Sequence, residues 1–456
     1  MKIETKTKNQ IRKRENYTMW YNNAVIYQIY PIGYCGVPRQ NDFNLNKESP
    51  ILNVIEHIPE LKRLGFNTIM FNPLFESTAH GYDTISFTKV DSRLGTNADF
   101  KKVCDTLHEN GFKVILDAVF NHVGRDFDSF KDVRQNKHSS QYKDWFHIRD
   151  GNSGYNDGFF YEGWEGHYEL VKLNLYNPQV KAFLLDSVST WVSEFDIDGL
   201  RLDVAYSLEH NFLKELRRHC KGLKSDFWLL GETLHGDYNT WVNPEMLDSS
   251  TNYECYKGLY SSFNELNMFE IAHSLGRQFN QENWCLYTGK KLACFVDNHD
   301  VSRIASRLKE PKHLSAIYTL LFTMPGVPIV YYGSEYGQTG DKSAGDDALR
   351  PKFDIANYDT SCELATLIAK LTRAHAENPA LHMGSYKQLQ LTNRQFAFMR
   401  EHNGEQVVVL LNADSATFSF NIPVKGKFVD VISGTAVDTS APVSVLGYGS
   451  MILKKD

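Results

Sequence analysis

LKRLGFNTIMFN (residues 61–72) and LHENGFKVILDAVFNH (residues 107–122) share one layout. In each, a Leu lies near the end of an amphipathic run, Gly-Phe follows four residues later, and a strand-like apolar stretch begins at once. Ile55, Ile58, Leu61 and Leu64 recur at helical spacing before the first strand, and Phe100, Val103 and Leu107 before the second. Gly65 and Gly111 stand where a helix commonly ends, and an apolar strand soon after is the chemistry of an αβ turn. The repeated unit is therefore helix then strand, and tandem units of this kind build a parallel sheet.

Working outward, further strands are expected at 24–30, 67–72, 113–119, 198–204, 227–232, 250–256, 292–298 and 328–333, mostly with helical sequence between them. Eight units over roughly 350 residues predict an α/β fold, a (β/α)8 TIM barrel with insertions. Two regions break the pattern. Residues 122–172 are rich in Gly, Asn, Asp and aromatics without a helical period and read as an inserted domain B after the third strand. Beyond about Pro379 short alternating stretches such as QFAFMRE and EQVVVLLNA predict a C-terminal antiparallel β-sandwich. The expected boundaries are 1–121 with 173–378 for the barrel, 122–172 for domain B and 379–456 for the sandwich.

One strand poses a question. In DIDGLRLDVAY (196–206), Leu200, Leu202 and Val204 alternate with Arg201 and Asp203. A strand with both faces covered would bury two charges on one side, where desolvation is expensive. Other expected strands end the same way: Asp117, Asn121 and His122 after the third, Glu232 after the fifth, Asn298, His299 and Asp300 after the seventh, with His80, Tyr82 and Asp83 following the second. Polar residues converging at the C-terminal ends of barrel strands occupy the place where barrel enzymes keep their active sites.

Composition narrows the field. Hydrophobic residues make up 42% of the 456, and 49 basic against 55 acidic residues give a net charge of −6, spread along the chain. Nothing in that balance favours nucleic acid or an anionic membrane surface. The opening residues MKIETKTKNQIRKRENYTMW lack a signal-peptide core, and no apolar run is long enough to span a membrane. Seven scattered cysteines without CxxC spacing suggest neither a disulfide framework nor a zinc ribbon. A cytoplasmic location is expected.

The ordered stretches DAVFNH (117–122), GLRLDVA (199–205), LLGET (229–233), FVDNHD (295–300) and GVPIVYYGSE (326–335), with LNLYNP (173–178), resemble the α-amylase family of retaining glycoside hydrolases and transglycosylases. That family's architecture is a barrel, a domain B and a C-terminal β-sandwich. The resemblance implies that Asp203 is the nucleophile, Glu232 the general acid/base and Asp300 the third carboxylate that holds sugar hydroxyls. It implies that His122 and His299 hydrogen-bond the sugar at the cleavage point, that Tyr82 stacks on that ring, and that Asp83 binds sugar or pairs with an arginine such as Arg350. Arg201, two residues before Asp203, should favour its ionised form, while the acid needs a raised pKa. Asn121 matches a calcium ligand of many relatives, but calcium needs six to eight oxygens, and a structural Asn explains the residue equally well. No cofactor is required; calcium as a structural ion stays open. Tyr206 and Ser207 lie where relatives contact the leaving-group sugars.

GLRLDVA with EHNFLKELR, and LGETLHGDYNTW, are similar to the cyclomaltodextrinase, neopullulanase and maltogenic amylase group. The chain departs from that group by beginning its first strand near Ala24, without room for an N-terminal β-domain, and by carrying Leu234 where an aromatic is usual. The expected activity is hydrolysis of α-1,4 bonds in short malto-oligosaccharides or cyclodextrins. The rivals are an α-glucosidase or glucan transglycosylase, an inactive sugar-binding relative, and an inverting hydrolase. The expected partner is an oligosaccharide, with neither nucleic acid nor membrane; substrate preference, exo or endo mode and oligomeric state stay open.

Overall fold

The computed structural model describes residues 19–280, 282 and 284–456; the polar opening residues 1–18 lie outside them. Eight parallel strands form one sheet: β1 (Ile26–Ile29), β2 (Thr68–Phe71), β3 (Lys113–Ala118), β9 (Gly199–Leu202), β10 (Trp228–Gly231), β11 (Ser249–Ser250), β12 (Ala293–Phe295) and β13 (Val327–Tyr331). They run in the order β11-β10-β9-β3-β2-β1-β13-β12. A parallel bridge between Thr251 and Ala293 joins the two ends and closes the ring.

The inserted segment supplies the three-stranded antiparallel sheet of β4 (His122–Gly124), β8 (His167–Lys172) and β7 (Gly163–Trp164), with a small ribbon of β5 (Ile148–Arg149) and β6 (Phe160–Tyr161). The C-terminal region is a six-stranded antiparallel sheet of β14 (Ser385–Leu391), β15 (Gln395–His402), β16 (Glu405–Asn412), β21 (Ser450–Lys455), β18 (Lys427–Asp430) and β19 (Ala436–Asp438). A ribbon of β17 (Phe418–Phe420) and β20 (Val443–Val445) packs on it across Ala397, Leu410, Phe420, Val443 and Leu453.

Local chemistry explains the units. Gly65 and Gly111 both take positive φ, 85°, as the repeated junctions require. Thr96 and Asp99 form a capping box on the helix Asn97–Glu109, and Asn177 caps Pro178–Phe195 with Pro178 in its first turn. Inside the ring, Ile26, Met70, Ile115, Trp228, Leu230, Ala293, Phe295, Val327 and Ile329 form an apolar floor. Leu116, Leu200, Leu202 and Leu229 belong to the other cluster, packed against the helices.

The alternation of strands then dictates what stands above the floor. Two residues beyond Ile26 is Gln28, beyond Met70 is Asn72, beyond Ile115 is Asp117, beyond Gly199 are Arg201 and Asp203, and beyond Leu230 is Glu232. All six polar side chains are buried.

Four expectations are corrected. Within 250–256 only Ser250 is strand; Tyr253–Asn264 is a helix, capped by the Asn252 side chain on the Cys255 N–H. The inserted segment contains a helix, Asp128–Asn136, and the C-terminal region opens with the short helix Pro379–Met383. Val204, expected at the end of the strand 198–204, lies past β9 in a left-handed conformation with φ 39°. Among the described residues no helix is long and apolar enough to cross a membrane.

Burial holds three histidines neutral: His57 is pushed down to about 4, and His122 and His375 to about 3. In the unfolded chain each takes up a proton near pH 6.5. Folding stability is therefore full above pH 6.5 and is lost as pH falls toward 4, by up to about 1.4 kcal/mol per pH unit for each ring. Glu335, pushed up to about 8 by burial, acts in the opposite sense over the same range, so the rings are read by difference: the urea midpoint of the wild type should fall more between pH 7.5 and pH 5 than that of His57→Phe, and equal falls would show that this ring is not desolvated as described.

Candidate active site

The polar strand ends meet on one guanidinium. Arg201 Nη1 donates to Asp117 Oδ2 at 2.6 Å and to Asp203 Oδ1 at 3.1 Å, and Nη2 reaches Glu232 Oε1 at 3.0 Å. Its side chain is 4% exposed. The left-handed Val204 turns its backbone N–H onto Glu232 Oε2 at 3.0 Å. A β-branched residue rarely adopts positive φ, and such strain persists where the surroundings enforce it, commonly at active sites. Here it ties the peptide after Asp203 directly to Glu232. Tyr253, on the helix that displaced an expected strand, donates from its hydroxyl to Glu232 Oε1 at 3.4 Å.

A second layer orients these groups. Gln28 donates to Asn72 Oδ1 at 2.8 Å and to Nδ1 of His299 at 3.1 Å. Asn72 and the Tyr82 hydroxyl donate to Asp117 Oδ2 at 3.0 and 3.1 Å. With Nδ1 of His299 accepting from Gln28, its Nε2 carries the proton and faces both Asp300 Oδ2, at 3.0 Å, and the Tyr82 hydroxyl. The Tyr82 and His299 rings stack at 5.5 Å. His122 accepts from Asn121 Nδ2 through Nδ1 at 3.1 Å, while its buried Nε2 has no hydrogen-bond partner. A neutral ring with a free buried N–H is a ready donor for a ligand hydroxyl.

Charge in the site is unbalanced. Four carboxylates, Asp117, Asp203, Glu232 and Asp300, face two guanidiniums, Arg201 and Arg350. Burial pushes Asp203 well above the usual carboxylate range, and Glu232 and Asp117 add to the rise; Arg201 opposes it without reversing it. The sequence-based expectation that Arg201 sets the direction is thus corrected. Asp300 goes the other way: burial raises it, but His299, Arg350 and Arg201 outweigh that and hold it well below the usual range. The ionised Asp300 suits a reaction in which positive charge develops on the bound molecule.

The arrangement brings Asp203, Glu232, Asp300, Arg201, Tyr82, His299 and His122 to one end of the barrel. It places two expected residues differently. Arg350 pairs with Asp300 at 3.0 Å and with Asp346 at 3.4 Å, not with Asp83. Asp83 is buried and accepts from the backbone N–H of His80 at 3.0 Å. Gln28, Asn72 and Tyr253 were not foreseen. Gln28 and Asn72 carried a faint signal, a polar residue inside or at the end of an apolar strand; Tyr253 carried none.

Among the described residues no group of three or more His, Cys, Asp or Glu is gathered that could hold an ion. The Asn121 Nδ2 donates to Nδ1 of His122.

The family described as "Alpha amylase, catalytic domain" matches residues 50–380. The chain is 33% identical over 433 residues to a cyclomaltodextrinase of a Bacillus species, covering 87% of this chain and 74% of that protein. It is 34% identical over 386 residues to a maltogenic α-amylase of Bacillus acidopullulyticus, covering 79% and 64%. A solved cyclomaltodextrinase superposes with a TM-score of 0.84 at 29% identity, covering 96% of this chain and 78% of that one.

Proposed function

The chain belongs to the α-amylase family of glycoside hydrolases, and from that premise we propose that it is a retaining hydrolase of α-1,4 bonds in short malto-oligosaccharides and cyclodextrins. The observation that carries the reading is the single buried guanidinium of Arg201 bridging Asp203 and Glu232. One cation on both carboxylates keeps the pair close, as a double-displacement mechanism needs.

In the proposed cycle an Asp203 oxygen attacks the anomeric carbon as the glycosidic C–O bond breaks, and Glu232 gives its proton to the leaving oxygen. Glu232 then takes a proton from water, whose oxygen attacks the same carbon and frees Asp203. Asp300, held ionised by His299 and Arg350, accepts sugar hydroxyl hydrogen bonds, and Nε2–H of His122 donates one. The negative charge held on Asp300 favours the oxocarbenium character of both transition states. Short and cyclic substrates are supported by the names of the relatives.

Exposed Leu234, two residues past Glu232, offers no aromatic face for an incoming sugar acceptor, which favours hydrolysis over transfer. All seven cysteines are free, which fits the reducing cytoplasm. Chromatography of products from maltoheptaose, cyclodextrin, pullulan and isomaltose tests the substrate class. Maltose and glucose should form from the first two, whereas cleavage of isomaltose alone would favour an α-1,6-glucosidase.

A further inference from the structure

Gln28 stands inside β1, between Tyr27 and Ile29, and only 3% of its surface is exposed. An amide carried this deep into a barrel is costly unless its hydrogen bonds are made. The bonds it makes are to two side chains of the site. A single nitrogen, Nε2, donates both to Asn72 Oδ1 and to His299 Nδ1.

The direction of these bonds is set from outside the pair. A carboxylate only accepts, and Asp117 Oδ2, held by Arg201, receives Asn72 Nδ2 at 3.0 Å. The Asn72 nitrogen therefore points to Asp117, and its Oδ1 points to Gln28. Gln28 must meet that oxygen with Nε2, and the same nitrogen meets Nδ1 of His299. Nδ1 is left bare, and the ring proton sits on Nε2. The Tyr82 hydroxyl leads to the same result: it donates to Asp117 Oδ2 at 3.1 Å, so its oxygen receives Nε2–H. Parallel stacking on Tyr30 at 6.0 Å and on Tyr82 at 5.5 Å holds the plane of the His299 ring. What is left to decide is which nitrogen carries the proton.

We propose that Gln28 is a positioning residue for the reaction, which through one nitrogen turns the Asn72 amide toward Asp117 and places the His299 proton on the side of Asp300. Gln28 touches neither carboxylate and acts through the two residues between. The inference rests on the hydrolase reading above and deepens it by naming what keeps the third carboxylate free to accept sugar hydroxyls. With Nε2 bare, Asp300 Oδ2 would face a lone pair at 3.0 Å. It could stay there only by taking a proton, and would then donate where it should accept.

Gln28→Glu keeps the size of the side chain but can only accept, so it draws a proton onto Nδ1 and turns the Asn72 amide around. Long-range proton–nitrogen NMR of protein labelled with ¹⁵N-histidine reads the ring directly, the His299 signals being identified by their loss in His299→Gln. In the wild type at neutral pH, Nδ1 of His299 should be bare and Nε2 protonated. In Gln28→Glu, Nδ1 should gain a proton, and kcat on maltotriose should fall about ten- to a hundredfold, the worth of one hydrogen bond to a charged group. A merely structural role would lower the thermal midpoint and leave the nitrogen signals in place. A protonated Nδ1 in the wild type, or a Gln28→Glu kcat within twofold of the wild type, overturns the inference; the wild-type spectrum decides alone where the variant does not fold. Wild-type protein that shows the expected spectrum but cleaves no α-glucan overturns the hydrolase reading, and the role in catalysis with it, while the proton placement stands.

Discussion

Asp203→Asn should abolish hydrolysis, lowering kcat on maltotriose by on the order of 10⁴-fold or more, since removing a covalent nucleophile leaves only binding and electrostatics. The substitution keeps the side chain's shape and one oxygen for Arg201. Folding should change little, because Asp203 is pushed up by burial and its charge is not a source of stability. The same thermal midpoint with lost turnover is the expected pair of results. Turnover above about one percent of the wild type would move the nucleophile elsewhere, Glu232 being the next carboxylate on the same guanidinium.

Arg201→Met should be nearly as damaging, for a different reason. It removes the cation shared by Asp117, Asp203 and Glu232. Stranding buried carboxylates costs about 3–5 kcal/mol when one partner of a buried pair is lost, so the thermal midpoint should fall. The pH profile carries the sharper test. Arg201 is the one strong influence that lowers Asp203, against burial, Glu232 and Asp117. Without it the carboxyl rises further, and the acid limb of kcat/KM, which reports the free enzyme, should move to higher pH by at least about one unit. Arg201→Lys should recover part of the shift, because charge is restored but a point-like ammonium cannot bridge three carboxylates as a planar fork does. An acid limb that stays in place in Arg201→Met would mean that another group governs ionisation of the nucleophile.

Much of this site was legible because strand alternation is strict. Once Leu200 and Leu202 are assigned to the helix side, Arg201 must point inward, and the same rule places Asp117 and Glu232. The junction repeat around Gly65 and Gly111 likewise gave the barrel its direction, and with it the end at which polar residues would meet. What escaped was set by chain ends and by distant partners. Val204 reads as the next apolar residue of a strand, and nothing local says that β9 stops at Leu202 to turn its amide onto Glu232. The stretch YECY has strand-like aromatics, yet the Asn252 cap starts a helix there and carries Tyr253 to the acid/base. The polar helix 128–136 has too few apolar residues to show a period.

Arg350 was matched with Asp83 on the strength of the resemblance, whereas Asp300 lies nearer once the strands close into a ring. Gln28 meets His299 across 271 residues and Tyr206 meets Glu165 across 41. Such pairs are decided by barrel closure and by where the inserted hairpin folds back, which no local pattern encodes. The shared cation was hidden for the same reason: Arg201 looked like a private partner of Asp203 until Asp117 and Glu232 were seen on the same guanidinium.

The central claim is that Asp203 and Glu232 act by double displacement. Proton NMR of the first product formed from maltotriose, followed within the first minutes before mutarotation, tests it most directly. The account predicts that the newly released reducing end is the α-anomer; first-formed β-anomer would show single displacement and contradict the assignment of Asp203 as nucleophile.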